Sequence, residues 1–395
     1  SSPIGNPNHV RPHHETLIRG YPHQHMHLRG PSSSITKIDP FPSHLQPKPH
    51  EIPAFFVFGD SLVDSGNNNF LFSIARADYF PYGIDFPLGT TGRFCNGRTV
   101  ADFIAEGLGL PFIPPYLSPL THTNMSPHGI SKGVNYASGA AGILDSSGGS
   151  FMARLPFNRQ IHNFHQSLQE LECSVRSAGK ILFADYLAKS LFGIVFGSND
   201  YLDNYLLHEG NLSSEHTNNI HSPQDFKALV AQTFHNQLAD LYRLGARRFL
   251  IAGVGPLGCI PKVLSKSKDG QCAGQINGLI ESFNLEVLHL VDALNRDPRF
   301  GGATFLYAKI YEKVYDILDR PGEYGFRESK SGCCGLGKYK GMLTCLPIIS
   351  PLELCYNRET HVFWDAYHPT QAVNRILADA SEIVPMNLNR LISLS

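Results

Sequence analysis

The sequence predicts an α/β protein, a three-layer α/β/α sandwich with a mostly parallel central sheet, and three observations carry that prediction. Strand-like and helix-like segments alternate at least five times along the 395 residues. Three of the strand-like runs stop abruptly in small, polar residues, as they do where open α/β sheets hold their ligands. Neither a second core nor an internal repeat is visible.

The first strand is Phe55-Phe56-Val57-Phe58-Gly59, apolar, aromatic and β-branched, and too short for a helix. It breaks into Asp60-Ser61-Leu62, a turn that would expose a hydroxyl at the strand's carboxyl end, which makes Ser61 a candidate nucleophile. Taken alone, Ser61 reads first as a plain helix-capping serine, and company elsewhere in the chain is what raises the nucleophile reading. A loop follows at 92–98, then a helix from Thr99 to Leu108 and a rigid connection through Pro111, Pro114 and Pro115.

The second strand is expected at Gly133-Val134-Asn135-Tyr136-Ala137. It runs into Ser138-Gly139-Ala140-Ala141-Gly142, a turn without bulk where backbone amides can approach a ligand. Helices around Arg159–Leu171 and Ile181–Lys189 lead to the strand Leu191–Phe196, which ends in Gly197-Ser198-Asn199-Asp200.

Ser222-Pro223-Gln224-Asp225 opens the clearest helix, which Gly245 stops. A strand at Arg248–Gly253, a helix from Ala273 to Asn295, a strand at Ala303–Tyr307 and a helix from Ile310 to Leu318 complete the alternation. Near the end, Asp365 precedes His368 by three residues, a spacing that on a tight turn lets the carboxylate fix the imidazole tautomer. Nε2 is then free to take the Ser61 proton, the activation that a serine hydroxyl requires.

Gly129-Ile130-Ser131-Lys132-Gly133 fits the Gly-x-Ser-x-Gly pattern but precedes a strand instead of following one, so its context is wrong. Residues 1–50 carry eight of the nineteen histidines and nine prolines with little aliphatic periodicity, and are expected to form a disordered tail before a domain at 51–395. His23, His25 and His27 alternate there without the fixed geometry of a metal site.

Thirty-three basic against thirty-four acidic residues, with no long basic run, give no footprint for nucleic acid. The longest apolar runs, such as Leu191–Phe196, fall far short of a membrane span. Eight cysteines and two glycosylation sequons, at Asn124 and Asn211, favour the secretory pathway and an extracellular destination, although no signal peptide is visible. Cys259 and Cys272 bracket a polar loop in position to staple it, and the adjacent Cys333 and Cys334 should each pair outward, with Cys345 and Cys355 nearby. A zinc cluster is the rival reading, weakened by the lack of a second closely spaced ligand pair. Cys95 and Cys173 remain unassigned.

The blocks FGDSLVDSGNNN, GVNYASGAAGI, FGSND and VFWDAYHPT resemble, in order and spacing, those of the plant GDSL esterases and lipases, a branch of the SGNH hydrolases. The likeness covers about 52 to 395 and includes GRFCNGRTVADFIAEGLGLP, IPPYL and the GCCG region; Cys95 stands where the family more usually has serine. It implies Ser61 as nucleophile, His368 as general base and Asp365 as its orienting acid. It also implies an oxyanion hole from the Ser61 amide, the Asn199 side chain and the Gly139 amide, with Gly133 competing for that last place. The implied activity is hydrolysis of small-molecule or lipid carboxylic esters with no metal or organic cofactor, falling as pH drops through the ordinary range of histidine, about 6.5. Acyl transfer to an alcohol, or ester or glycan binding without turnover, are the alternatives. Substrate and oligomeric state are open.

Overall fold

The computed structural model describes residues 52–123, 129–177, 179, 181–206, 222–348 and 353–379. All of them fall within a single compact unit, Asp39–Ser395. The expected tail at 1–50 and both sequons, Asn124 and Asn211, lie outside the described residues.

Four strands, β1 (Phe55–Gly59), β2 (Leu191–Val195), β3 (Arg248–Ala252) and β4 (Thr304–Ala308), form one sheet in the order β1-β2-β3-β4, every pair parallel. Successive side chains alternate between its faces. Phe56, Phe58, Phe192, Phe249 and Phe305 point to one side, into a core shared with helices α2 (Phe157–Ser177), α4 (Pro223–Arg243) and α5 (Gly274–Arg296). Val57, Leu191, Leu250 and Ala308 point to the other, toward α1 (Val100–Gly107). A neighbouring cluster there joins α6 (Ile310–Asp319) and α7 (Gln371–Leu377). The fold is the three-layer α/β/α arrangement expected from the alternation. A short helix, α3 (Phe183–Lys189), leads into β2.

Local chemistry sets the helix starts. The Thr99 side chain accepts from the Asp102 amide while Asp102 caps the Thr99 amide in return, so α1 begins at a reciprocal capping box. Ser222 caps α4, with Pro223 in its first turn. Helix α2 runs longer than the sequence reading, because Phe157 and Val175 join Ile161, Phe164 and Leu171 on its buried side.

The expected strand at 133–137 is a correction. Val57 donates to Val134 O and Tyr136 to Val57 O, so the segment runs beside β1, yet it makes isolated bridges instead of a regular strand. On its outer side the carbonyls of Asn135 and Ala137 both accept from Nδ2 of Asn67, at 2.8 Å, and Asn135 exchanges backbone bonds with Pro114 and Tyr116 at a single further bridge.

Three disulfides are formed. Cys259–Cys272 staples its loop as expected, and Cys333–Cys355 and Cys334–Cys345 are the outward pairs of the adjacent cysteines. Cys95 is a buried thiol and Cys173 an exposed one.

Candidate active site

Ser61 sits two residues beyond β1, at the carboxyl end of the sheet. Gln160 of α2 holds the strand's end in place: its Oε1 accepts from the Gly59 amide and its Nε2 donates to Gly59 O. The hydroxyl Oγ of Ser61 lies 2.8 Å from Nε2 of His368, across 307 positions of sequence. Nδ1 of His368 lies 2.9 Å from both carboxylate oxygens of Asp365. The three side chains therefore form one continuous relay at the sheet edge.

The turn carrying His368 is fixed from several sides. Oδ1 of Asp365 accepts the amides of Tyr367 and His368, which closes the turn. The strand before it, β6 (His361–Phe363), pairs with β5 (Glu328–Gly332), and the amides of Cys333 and Cys334 donate to Phe363 O and Trp364 O. The disulfide-linked GCCG region is thus the backing of the histidine turn. Buried Trp364 and Tyr82 pack into the same cluster as those cysteines.

Tyr82 belongs to no sequence block singled out above, and it completes the relay: its hydroxyl donates to Oδ2 of Asp365 at 2.6 Å. Burial raises Asp365, but the charge of His368 and hydrogen bonds from His368 and Tyr82 outweigh that effect, so the carboxyl is held below its usual range. Burial also pushes the Tyr82 phenol well above its ordinary value, which keeps it a neutral donor.

Two other buried aspartates flank Ser61. Asp60, fully desolvated, is pushed up to about 7; one oxygen accepts from the Leu62 amide and Oδ2 has no partner. Asp64 accepts three amides, those of Gly66, Asn67 and Gly139, with burial still raising it to about 6.

That last bond decides a point left to Gly139 by the sequence. The Gly139 amide donates to Asp64 Oδ2 at 3.0 Å and is committed there. The amide of Gly133 donates to Ile130 O, and the residue abuts Phe55 at the opposite end of β1 from Ser61. Ala140 has no acceptor for its amide among the described residues, lines the cavity beside Ser61 and Asn199, and adopts a left-handed backbone, φ 65°. In this turn the Gly139 amide is thus engaged by Asp64, and that of Ala140 has no protein acceptor among the described residues. The two residues are adjacent in a turn without bulk, so only the direction of each N–H tells them apart.

Asn199 lines the same cavity and donates one amide proton to Ala141 O at 2.9 Å, leaving the second free for another acceptor. Its neighbour Asp200 is structural, accepting the amides of Ile143 and Leu144 and the Ser147 hydroxyl. Ser131 of the Gly-x-Ser-x-Gly stretch stands one residue before Lys132, whose carbonyl accepts from Phe55, at the wrong edge of the sheet.

A parallel sheet sandwiched by helices, with serine, histidine and aspartate converging at its carboxyl edge, defines a hydrolase of the SGNH class. The chain belongs to the GDSL-like lipase/acylhydrolase family, whose model matches residues 55–381. Its relatives include a GDSL esterase/lipase of Arabidopsis thaliana, 45% identical over 350 residues that cover 87% of this chain and 86% of the relative. GDSL esterase/lipase 7 of the same plant is 46% identical over 329 residues, covering 82% and 86%. A third is 46% identical over 349 residues, covering 86% and 87%. Among the described residues no helix is long and apolar enough to cross a membrane.

Proposed function

We propose that the protein cleaves carboxylic esters through an acyl-enzyme on Ser61. The observation that carries this reading is the 2.8 Å contact between Ser61 Oγ and His368 Nε2, with Asp365 behind Nδ1. His368 takes the hydroxyl proton as Oγ attacks the ester carbonyl, and Asp365 stabilises the imidazolium that results. The charge that develops on the carbonyl oxygen is met by the amides of Ser61 and Ala140 and by Nδ2 of Asn199, one such donor typically contributing about 10²–10³ in rate. His368 then returns its proton to the leaving alkoxide, and a water molecule activated by the same nitrogen releases the acid.

The test is covalent labelling with a fluorophosphonate alongside hydrolysis of nitrophenyl acetate. The expected result is one label on Ser61, and a Ser61→Ala variant that unfolds like the parent but has lost at least about 10⁴ of turnover. A folded Ser61→Ala variant with undiminished turnover would falsify the mechanism.

We further propose that the chain matures in an oxidising compartment and is exported. Three disulfides support this, since such bonds persist where thiols are not kept reduced. Occupied glycans at Asn124 or Asn211 in protein isolated from its source tissue would bear it out; a fully reduced, cytosolic pool would refute it.

A further inference from the structure

The cavity beside Ser61, about 270 Å³, adjoins a second and larger one of about 840 Å³. Leu202, Asp203 and Tyr367 line both, so the two meet at these three residues. Asp203 stands on the helical turn Tyr201–Tyr205, just after Asn199, and Tyr367 immediately precedes His368. The junction is therefore built from the two segments that carry the oxyanion donor and the base. Most of the remaining lining comes from segment 262–272, which the Cys259–Cys272 disulfide holds and whose Lys262 amide donates to Ala366 O in the histidine turn.

Three polar groups at this junction are short of protein partners. Among the described residues neither the Asp203 carboxylate nor the Tyr367 hydroxyl has a hydrogen-bond partner. Burial pushes Asp203 up to about 6, with the charge of Lys262 acting against it. The Lys262 ammonium gives one hydrogen bond, to Met342 O at 3.1 Å, and stands 5.9 Å from the centre of the Tyr367 ring, with two N–H groups left to donate. Desolvated groups of this kind cost stability until a ligand or water completes them. The lining carries Lys262 and Lys266 against Asp203 and Asp269, so its formal charges cancel. Of the outer pair, Lys266 is exposed and Asp269 already accepts from the Ser267 hydroxyl and the Gln271 amide. An anionic ligand would be repelled by Asp203 and a cationic one by Lys262. A neutral ligand that both donates and accepts hydrogen bonds meets neither penalty.

We propose that the second cavity holds the alcohol half of the substrate, and that this alcohol is a neutral polyol, a sugar or glycerol unit with free hydroxyls. The proposal rests on the esterase reading above and deepens it by naming the alcohol class. The volume lies within the range of small-molecule pockets, about 300–1,000 Å³. Asp203 accepts from two neighbouring hydroxyls, one at each carboxylate oxygen, Lys262 donates to a further oxygen, and Tyr367 does either. An alcohol without hydroxyls is disfavoured, because the site's own desolvated polar groups are then left unpaired. When the ester bond breaks, the acyl group stays on Ser61, and the polyol oxygen takes the proton from His368 and departs into the second cavity.

The experiment has a binding arm and a turnover arm, both at a fixed acyl group. In the first, ethyl butyrate, glycerol monobutyrate, glucose 6-butyrate and the butyryl ester of glycerol phosphate are titrated calorimetrically into Ser61→Ala, which needs no catalysis. At least one neutral polyol ester should bind about tenfold or more tighter than ethyl butyrate, and the tighter of the two identifies the unit as glycerol or sugar. In the second, kcat/KM is measured for the same esters. The ratio of that polyol ester to ethyl butyrate should fall about threefold to tenfold in Tyr367→Phe, which removes only a hydroxyl without a protein partner, and at least about tenfold in Asp203→Leu. Should Asp203→Leu not fold, Tyr367→Phe decides alone. Equal affinities for ethyl and polyol esters would overturn the proposal, as would a polyol preference that survives the substitutions. Tighter binding of the phosphate-bearing ester than of either neutral polyol ester would overturn it too, and make the cavity an anion site. The two readings fail separately. Ester turnover with no dependence on the hydroxyls removes the polyol site alone, whereas hydroxyl-dependent binding without any ester turnover removes the esterase and leaves a polyol site.

Discussion

The hydroxyl of Tyr82 donates a 2.6 Å hydrogen bond to Oδ2 of Asp365, joining two buried side chains 283 positions apart. Asp365 thus receives a neutral donor on the oxygen it also turns to His368, while its other oxygen is occupied by the amides of its own turn. A buried carboxylate with every contact defined orients the imidazole in one way only, which is what proton transfer from a serine demands. Tyr82 is for that reason a positioning residue for the base.

Replacing Tyr82 by phenylalanine leaves a charged oxygen short of one partner. Stability should fall by about 1–3 kcal/mol, the cost of a lost hydrogen bond to a buried charge. Turnover should fall about tenfold with KM little changed, a split that a purely structural defect would not produce. Chemical denaturation and steady-state kinetics on the same preparation read both.

Asn199→Ala is expected to lower kcat by about 10²–10³ and to leave KM within a few-fold, since an oxyanion donor acts mainly in the transition state. The variant also loses the bond to Ala141 O. A rate equal to that of the parent would remove Asn199 from the chemistry.

Asp60 makes a prediction with a definite sign. Burial raises it to about 7, so in the folded state it holds its proton over a range where the unfolded chain, near 3.9, has released it. Its contribution to stability is complete below about pH 4 and is lost as pH rises through about 7. His368 favours its charged form and Asp200 opposes it. Asn in its place keeps an oxygen for the Leu62 amide and cannot ionise. Asp60→Asn should therefore be more stable than the parent at pH 8, by about 1–3 kcal/mol, with the gap closing toward pH 4. Urea titrations at several pH values would show it; a gap independent of pH would contradict the assignment.

The Cys259–Cys272 bridge spans 13 positions of sequence. Opening it with a double alanine substitution should cost about 2–4 kcal/mol, chiefly by freeing the unfolded chain. Thermal unfolding of the variant measures the loss, and an unchanged midpoint would show that the loop is held without it.

What the sequence determined by itself is local. A short apolar run ending in Asp60-Ser61 gives a strand and an exposed hydroxyl, and Asp365 with His368 three residues later gives a self-closing turn, because each pattern is encoded within a few neighbouring residues. The parallel sheet and its helical layers were legible for the same reason, from the alternation of periods, whereas the order of the strands was not. Only the tertiary structure decided the rest. It brought Tyr82 to Asp365, and it turned the Asn67 side chain onto the carbonyls of Asn135 and Ala137. It turned the Gly139 amide to Asp64 and left that of Ala140 without a protein acceptor among the described residues. Each of these depends on where distant segments meet and which way a single N–H or ring points, and no spacing along a chain records direction in space.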